Sequence, residues 1–184
     1  MIHTDGASLP VVCIIARRSN SGKTLLLEAL VAALKARGRR VAAVKHCPHG
    51  HQIGHSGKDS QRILNAGADA VVMSSPDKVT TIRQVDAERS LDKLLESLGS
   101  GYDIVLVEGY KASSAAKILV VPSGDTAPDD ANPTRLLATV VPESGPDGAP
   151  RFPADLIEGL VDLLERAAAD GRVSYTDGEA SETS

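Results

Sequence analysis

The chain has 184 residues, the length of one ordinary domain, and 42% of them are hydrophobic. It contains one Phe, no Trp and three Tyr, so its core has to be built from aliphatic side chains, as is typical of a parallel sheet between helices. The formal net charge of −4 argues against a broad nucleic-acid-binding surface, which needs clustered Lys and Arg. We therefore predict a single domain over residues 1–170 and no nucleic-acid partner.

The two ends of the chain also carry predictions. The first residues show no basic flank followed by a sustained apolar segment, and the apolar run at residues 11–16 is far shorter than the roughly 20 residues that span a bilayer. We therefore expect a cytoplasmic protein without a membrane partner. The polar and acidic end, residues 171–184, has almost nothing to bury and is predicted to be disordered.

The first predicted elements are a strand, a loop and a helix. A short continuous run of apolar and β-branched residues at Val11–Ala16 is typical of a strand that is buried on both faces. From Lys23 onward the apolar residues recur at helical spacing and Gly38 is the predicted end of the helix. The residues that define this helical face are Leu27, Leu30, Val31 and Leu34.

Further strands and helices alternate along the rest of the chain. Such alternation produces right-handed βαβ crossovers and a mostly parallel sheet covered by helices on both faces. Segments 122–133 and 142–150 are rich in Pro, Gly and Asp and are predicted to be loops. The predicted strands are RRVAAVKH (39–46), ADAVVMSS (68–75), YDIVLVEG (102–109), AKILVVP (116–122) and LLATVVP (136–142), and the predicted helices lie near 57–67, 91–98 and 156–164.

The loop between the first strand and the first helix reads RRSNSGKT, residues 17–24. Its end fits the phosphate-binding motif GxxxxGK[ST], in which backbone N–H groups surround the phosphates, the lysine reaches the outer phosphates and the hydroxyl binds Mg²⁺. Arg17 replaces the first glycine and argues against the match, but the amides nearest the phosphates come later in the loop. We predict a P-loop NTPase-like fold; the alternative is a capped helix start with an exposed lysine. The predicted phosphate-binding residues are Ser19, Asn20, Ser21, Gly22, Lys23 and Thr24.

A second motif follows the apolar strand at residues 104–107, where the chain reads Glu108–Gly109. Mg²⁺ bound by one hydroxyl is usually completed by an acidic residue or an ordered water at the end of another strand. We predict that Glu108 binds Mg²⁺ together with Thr24, or orients an attacking water, so that Lys23 and Glu108 are the catalytic candidates. The alternative is a glutamate that faces solvent in a turn.

Four segments occur in a characteristic order: VAAVKHCPHG, GKDSQRILNAGADAVVMSS, DIVLVEGYK and AKILVV. In the order, spacing and amino-acid sequence of these segments, residues 11–122 resemble the molybdopterin-guanine dinucleotide biosynthesis protein B family (MobB). The resemblance implies a P-loop protein that binds GTP with Mg²⁺, has weak GTPase activity and forms a homodimer. Members of the family assist the guanylyltransferase that joins GMP to molybdopterin. Guanine preference rests on the resemblance alone, since we find no clear NKxD motif for reading the base.

The resemblance also assigns residues to the family's motifs. Arg17 stands where the family usually has glycine or a small residue, and the segment before GKD lacks the family's usual aspartates. The first departure concerns the phosphate loop, and the second any metal or cofactor role of the histidine segment. The matched residues are Gly22, Lys23 and Thr24 in the phosphate loop, Glu108, Gly109 and Lys111 after the Walker B strand, and Lys58 and Asp59 in the GKD segment.

Two basic features keep alternatives open. Lys45, Lys58 and Lys111 are interpreted either as a pocket for the phosphate of molybdopterin or as solvated side chains at strand ends. Four histidines lie within ten residues and fit either a Zn²⁺ site or a solvated loop. They are His46, His49, His51 and His55.

The function predicted from these motifs is that of a GTP-binding accessory protein in molybdenum cofactor biosynthesis. One alternative is a small-molecule kinase on the same scaffold, with Asp59 or Glu108 as the base. Kinases generally bring arginines over the transferred phosphate, and the chain after Lys111 has none before Arg135, which favours the accessory role. The other alternative is a dimeric scaffold that has lost nucleotide binding because of Arg17.

Overall fold

The computed structural model describes residues 3–4, 7–48, 50, 58–122, 124–125, 135–145 and 147–175. The helices are α1 (Lys23–Ala36), α2 (Lys58–Asn65), α3 (Leu91–Leu98) and α4 (Ala154–Ala169). In these ranges we find no helix with the length and apolar character needed to cross a bilayer. The strands are β1 (His3–Thr4), β2 (Ala7–Ser8), β3 (Val11–Ile15), β4 (Val41–Lys45), β5 (Ala70–Ser74), β6 (Val79–Arg83), β7 (Ile104–Glu108), β8 (Ala116–Val120), β9 (Leu136–Val140), β10 (Glu143–Ser144) and β11 (Pro150–Arg151).

The main sheet is parallel and has the strand order β4–β7–β3–β8–β9. Every residue of β3, β7 and β8 is buried, which explains why these strands read as continuous apolar runs. The register pairs Glu108 of β7 with Ile14 on one side and with Lys45 on the other, so the carboxyl ends of three strands meet at one edge. The predicted α/β fold, a mostly parallel sheet between helices, is confirmed.

Alternate residues of β3 point into two hydrophobic cores on the two faces of the sheet. Val12 belongs to the core that includes Leu30 of α1 and Leu164 of α4, both fully buried. Val11 belongs to the opposite core, which includes Leu95 of α3. Because the first turns of α1 are held by this packing, the loop that precedes the helix has a fixed end.

The described residues form two compact units, one within 1–46 and 91–184 and the other within 47–90. In the second unit α2 packs on β5, and Leu64 and Val71 are buried. An insertion into one domain and a separate domain both produce such a division. The prediction of a single domain over residues 1–170 therefore stays a prediction.

The segment ADAVVMSS forms a strand as predicted, but this strand is not part of the main parallel sheet. It forms β5, which pairs with β6 in an antiparallel two-stranded sheet. Its residues alternate between exposed and covered, unlike the fully buried strands of the main sheet. The sequence signal that was missed is the turn SPDK at residues 75–78, which reverses the chain after β5. In this turn Ser75 N donates to Lys78 O at 2.8 Å and Ser75 Oγ donates to Asp77 Oδ1 at 2.8 Å.

The predicted disorder from residue 171 onward was wrong for residues 171–175. Val173 is 1% exposed and accepts a hydrogen bond from Val11 N at 2.9 Å, and Tyr175 N donates to Leu9 O at 3.1 Å. The Tyr175 hydroxyl donates to Asp92 Oδ1 at 2.6 Å. A single buried valine in a polar segment carries too little periodicity to be recognised from sequence. Residues 176–184 lie outside the described residues.

Ion pairs join the end of α1 to α4. Glu165 accepts hydrogen bonds from Arg39 Nε at 2.7 Å and from Arg37 Nη1 at 2.8 Å. Both hydrogen bonds hold the pKa of Glu165 below its usual value, and the one from Arg39 has the larger effect. Arg37 also donates to Glu158 and Asp162. A carboxylate with a lowered pKa in the folded state stabilises the fold above its ordinary pKa, and that contribution is lost as the pH falls through the folded-state pKa.

We accordingly expect Glu165→Gln to lower the urea midpoint at pH 7 and the difference from the natural protein to shrink as the pH falls through the lowered folded-state pKa of Glu165. Urea unfolding from pH 7 downward measures this difference. The control is Glu28→Gln, which removes an exposed carboxylate from α1. A Glu165→Gln effect that is unchanged across this range would show that the ion pairs do not cause it.

Candidate functional site

The loop between β3 and α1 reverses the chain through left-handed residues. Asn20 has a φ of 58° and Gly22 a φ of 88°, and Gly22 is the N-cap of α1, whose carbonyl accepts from Leu26 N at 2.9 Å. Ser21 and Gly22 are buried, whereas residues 17–20 are exposed. The loop thus ends at the amino end of a helix, where the helix dipole attracts anions.

Arg17 fits the loop without backbone strain. Among the described non-glycine residues, positive φ occurs at Asn20, Tyr110 and Arg135. Arg17 therefore has a backbone conformation that any residue adopts, and the objection that a glycine is needed at this position does not apply here. The neighbouring Arg18 places Nη2 3.5 Å from Asp125 Oδ1, with most of its side chain in solvent.

Gly22 is required for a second reason, which is close contact with β11 and the residue that follows it. A Cβ at this position would lie 3.1 Å from Pro150 Cβ and 3.2 Å from Phe152 Cζ. The loop is therefore supported from outside by Pro150 and Phe152. Sequence analysis missed both residues, because the segment that contains Pro150 was assigned to a loop without further role.

Lys23 folds back over the loop that precedes it. Its Nζ donates to Arg18 O at 3.1 Å and to Ser21 Oγ at 3.3 Å, and Ser21 Oγ itself donates to Arg18 O at 3.0 Å. The ammonium group thus lies beside the backbone of the loop rather than extending into solvent. In the phosphate-binding motif the lysine at this position reaches the outer phosphates.

Glu108 is at the centre of a cluster of three side chains at the carboxyl edge of the sheet. The residue is only 9% exposed, and Oε2 accepts from Thr24 Oγ1 at 2.7 Å and lies 3.1 Å from Lys45 Nζ. Lys45 Nζ also donates to Thr24 Oγ1 at 3.0 Å. A carboxylate this buried needs partners, and here it has a hydroxyl and an ammonium group. The predicted meeting of Thr24 and Glu108 is present, and the alternative of a solvent-facing Glu108 is wrong.

The backbone just after Glu108 is held in an unusual conformation. Gly109 has a φ of 101° and donates from N to Ile14 O at 3.0 Å, and Tyr110 has a φ of 50°. The rings of Tyr110 and His46 lie 4.7 Å apart, and His46 N donates to Glu108 O at 2.9 Å. Left-handed conformations at non-glycine residues cost free energy and cluster at functional sites.

Lys117 supports the segment that follows this turn. Its side chain is 1% exposed in the middle of the sheet, and Nζ donates to Ser113 O at 2.6 Å and Ala115 O at 2.8 Å. Burial lowers the pKa of Lys117. In register with it on β3, the buried Cys13 has a pKa that burial raises, as expected of a packing cysteine. The available signal was a single lysine within the apolar strand AKILVV.

The remaining predicted site residues are distributed over the two units. Ser19, Asn20 and Lys111 are exposed in the first unit. Lys58 and Asp59 begin α2 in the second unit, where the exposed Asp59 lies 3.6 Å from Arg62, and their role in the site stays a prediction.

The four-histidine metal site is not supported within the described part of the chain, which contains no group of three or more His, Cys, Asp or Glu side chains placed to hold a metal ion. His49, His51 and His55 lie outside the described residues. His46 is described and packs against Tyr110 instead. The Zn²⁺ interpretation therefore rests on residues that the structure does not describe.

Comparisons with known proteins agree in pointing to one family. The family model of molybdopterin guanine dinucleotide synthesis protein B matches residues 11–142. The chain is 39% identical over 103 residues to the molybdopterin-guanine dinucleotide biosynthesis adapter protein of Haemophilus influenzae, covering 55% of this chain and 58% of that protein. It is 36% identical over 111 residues to the adapter protein of Escherichia coli, covering 58% and 62%. These matches thus span less than two thirds of either relative.

A solved structure extends the likeness over more of the chain. The crystal structure of molybdopterin-guanine biosynthesis protein B superposes with a TM-score of 0.64 at 32% identity. The match covers 86% of this chain and 99% of that one. The two proteins therefore share the α/β fold over most of the length of this chain.

Proposed function

Because the chain belongs to the molybdopterin guanine dinucleotide synthesis protein B family, we propose that it binds GTP with Mg²⁺ and acts as an adapter in the assembly of the molybdenum cofactor. The observation that carries the nucleotide site is the contact of Thr24 with Glu108 at the amino end of α1, beside a lysine that bends over the loop. Its test is whether GTP with Mg²⁺ stabilises the natural protein and not the Lys23→Ala variant.

The residues at this edge suit Mg²⁺ by their chemistry. Thr24 and Glu108 supply hard oxygen donors, which Mg²⁺ prefers, and nucleotide sites usually complete its shell with phosphate oxygens and water. Thr24 would bind the ion directly and Glu108 directly or through a water. When bound, Mg²⁺ neutralises charge on the outer phosphates.

Each of the other residues has a role in binding the nucleotide. The loop amides from Ser19 to Gly22 would donate to the phosphates, and Lys23 would exchange its present acceptors for phosphate oxygens. Gly109, held against β3, fixes the position of Glu108. Glu108 is also the residue that would orient an attacking water, and we expect hydrolysis to be slow at most.

The adapter role concerns a partner enzyme. The relatives from Haemophilus influenzae and Escherichia coli are called adapter proteins of molybdopterin-guanine dinucleotide biosynthesis. We extend this role to the present chain, with the guanylyltransferase that attaches GMP to molybdopterin as the partner and the cytoplasm as the location. Lys111 is the candidate in the first unit for contact with the phosphate of molybdopterin, since a lysine suits a phosphate, and the role of Lys58 and Asp59 stays a prediction.

A homodimer is the proposed assembly, and the β5–β6 pair in the second unit supports it. Val72 and Val79 lie on one face of the pair and are 65% and 66% exposed. A two-stranded antiparallel sheet is marginally stable alone, and an exposed apolar face of this kind is suited to pairing with a second copy.

We expect the double variant Val72→Lys, Val79→Lys to convert a dimer into a monomer of 19.2 kDa in light scattering after gel filtration. The control is Val141→Lys, which places the same charge at a valine that is 55% exposed in the other unit. A natural protein that elutes as a monomer, or a double variant that stays dimeric, would contradict the proposed assembly.

A further inference from the structure

Lys45 occupies a position in the site that the proposed nucleotide chemistry does not use. Its Nζ lies 3.0 Å from Thr24 Oγ1 and 3.1 Å from Glu108 Oε2, and these two oxygens are themselves 2.7 Å apart. The three atoms thus form a closed triangle. The ammonium group is bound by the same two oxygens that are the protein's candidates for holding Mg²⁺.

Two features of the fold hold Lys45 and Glu108 in contact. Lys45 is the last residue of β4 and Glu108 the last residue of β7, and the parallel register places them side by side. Glu108 is nearly buried, with 11% of its side chain exposed, while 51% of the Lys45 side chain is exposed. The carboxylate is therefore fixed, and the lysine has room to leave.

We propose that Lys45 is a built-in competitor of the divalent cation, so that a metal ion enters this site only when the Lys45 ammonium moves away from Thr24 and Glu108. Two cations cannot share the same pair of oxygens without strong repulsion, because a divalent ion and an ammonium group at this separation have like charges. The competition weakens metal binding to the protein alone. A triphosphate brings additional ligands for the metal and a new acceptor for the displaced ammonium.

The consequence, which rests on the proposed function, is that metal and nucleotide bind cooperatively. Each ligand pulls on one partner of the Lys45–Glu108 pair, the metal on the carboxylate and the phosphates on the ammonium. Binding of one therefore raises the affinity for the other by the same factor. Lys45 would act as the coupling element that keeps the site closed to free metal and opens it to the metal–nucleotide pair.

The test uses MnCl₂ as the probe and measures free Mn²⁺ by electron paramagnetic resonance in the full chain without nucleotide. We expect Lys45→Met, which keeps an unbranched side chain one atom shorter and removes its charge, to bind Mn²⁺ at least about tenfold more tightly than the natural protein. Adding Thr24→Ala to Lys45→Met should remove the gain. Lys45→Gln is the second variant if the methionine disturbs folding, which circular dichroism checks.

The matched control is Lys23→Met, which removes an equal charge at the start of α1, from a lysine that contacts Arg18 and Ser21 instead. An equal gain in Lys23→Met and Lys45→Met would attribute the effect to general charge and overturn the inference. So would unchanged or undetectable Mn²⁺ binding in Lys45→Met and Lys45→Gln. A second arm with GTP separates this result from the proposed function. If GTP fails to bind while Lys45→Met still gains Mn²⁺ affinity, the nucleotide proposal falls and the competition stands.

Discussion

GTP with Mg²⁺, at 100 times its dissociation constant, is expected to raise the midpoint of thermal unfolding by roughly 5 to 11 °C in the natural protein and to leave the Lys23→Ala variant unchanged. A ligand that binds only the folded state stabilises it by about 2.7 kcal/mol at this concentration. In a domain of this size each 1 kcal/mol corresponds to roughly 2 to 4 °C. Lys23 matters because its ammonium group already lies beside the loop carbonyl of Arg18, where phosphate oxygens would replace that acceptor.

The controls for this experiment distinguish GTP binding from the two alternative functions. Lys35→Ala removes an exposed lysine from the last turn of the same helix and should keep the shift with GTP. Replacing GTP by ATP tests whether the guanine base is recognised, and with ATP we expect only a small rise in the unfolding midpoint. A shift with ATP alone would favour a small-molecule kinase. If neither nucleotide stabilises the natural protein, nucleotide binding is wrong and a dimeric scaffold remains.

Gly109→Ala is expected to destabilise the protein by about 3 kcal/mol and to lower its unfolding midpoint by roughly 6 to 12 °C. The φ of 101° at Gly109 disfavours any side chain, and an added Cβ would lie 2.7 Å from His46 Cβ. His46 cannot easily move away, because its backbone N–H donates a hydrogen bond to Glu108 O at 2.9 Å. Strain relieved by moving either strand end would also displace the Glu108 carboxylate.

Gly38→Ala is the matched control for this prediction. Gly38 also has positive φ, at 78°, but a Cβ there would meet nothing within 4 Å. We expect a loss of about 1 kcal/mol, or roughly 2 to 4 °C, from the backbone alone. The difference between the two variants measures the contact with His46. Equal losses would mean that the strand ends adjust freely, and GTP-dependent stabilisation would then be reduced in Gly109→Ala because Glu108 moves with its strand end.

Sequence reasoning was most successful where one segment carries the whole signal. The apolar runs at residues 11–16 and 104–107 identified β3 and β7, because a strand buried on both faces has to be apolar throughout. Helical spacing from Lys23 identified α1, which begins at that residue. The contact of Thr24 with Glu108 could be anticipated. Thr24 lies in the helix that follows β3, Glu108 is the last residue of β7, and the carboxyl ends of these parallel strands lie side by side.

It failed where a residue's place depends on distant segments. The alternating strand ADAVVMSS joins β6 and not the main sheet, because the hairpin turn that follows it brings β6 alongside. Val173 is buried because its side chain joins the core that contains Leu30 and Leu164, and Val11 N of β3 donates to its carbonyl. Pro150 and Phe152 contact Gly22 across a large separation in sequence, which no local pattern records.

By itself, therefore, the sequence determined the alternation of strands and helices in the main sheet, the position of the phosphate-binding motif between a strand and a helix, and the family, since periodicity and motif spacing are local properties of the chain. Only the tertiary structure decided that Arg17 has an unstrained backbone, that Lys117 supports the turn after β7, and that Lys45 shares its oxygen partners with the candidate metal site. These features depend on strand register and side-chain packing. Both are set by the whole fold, and a change of one residue in register would separate Lys45 from Glu108.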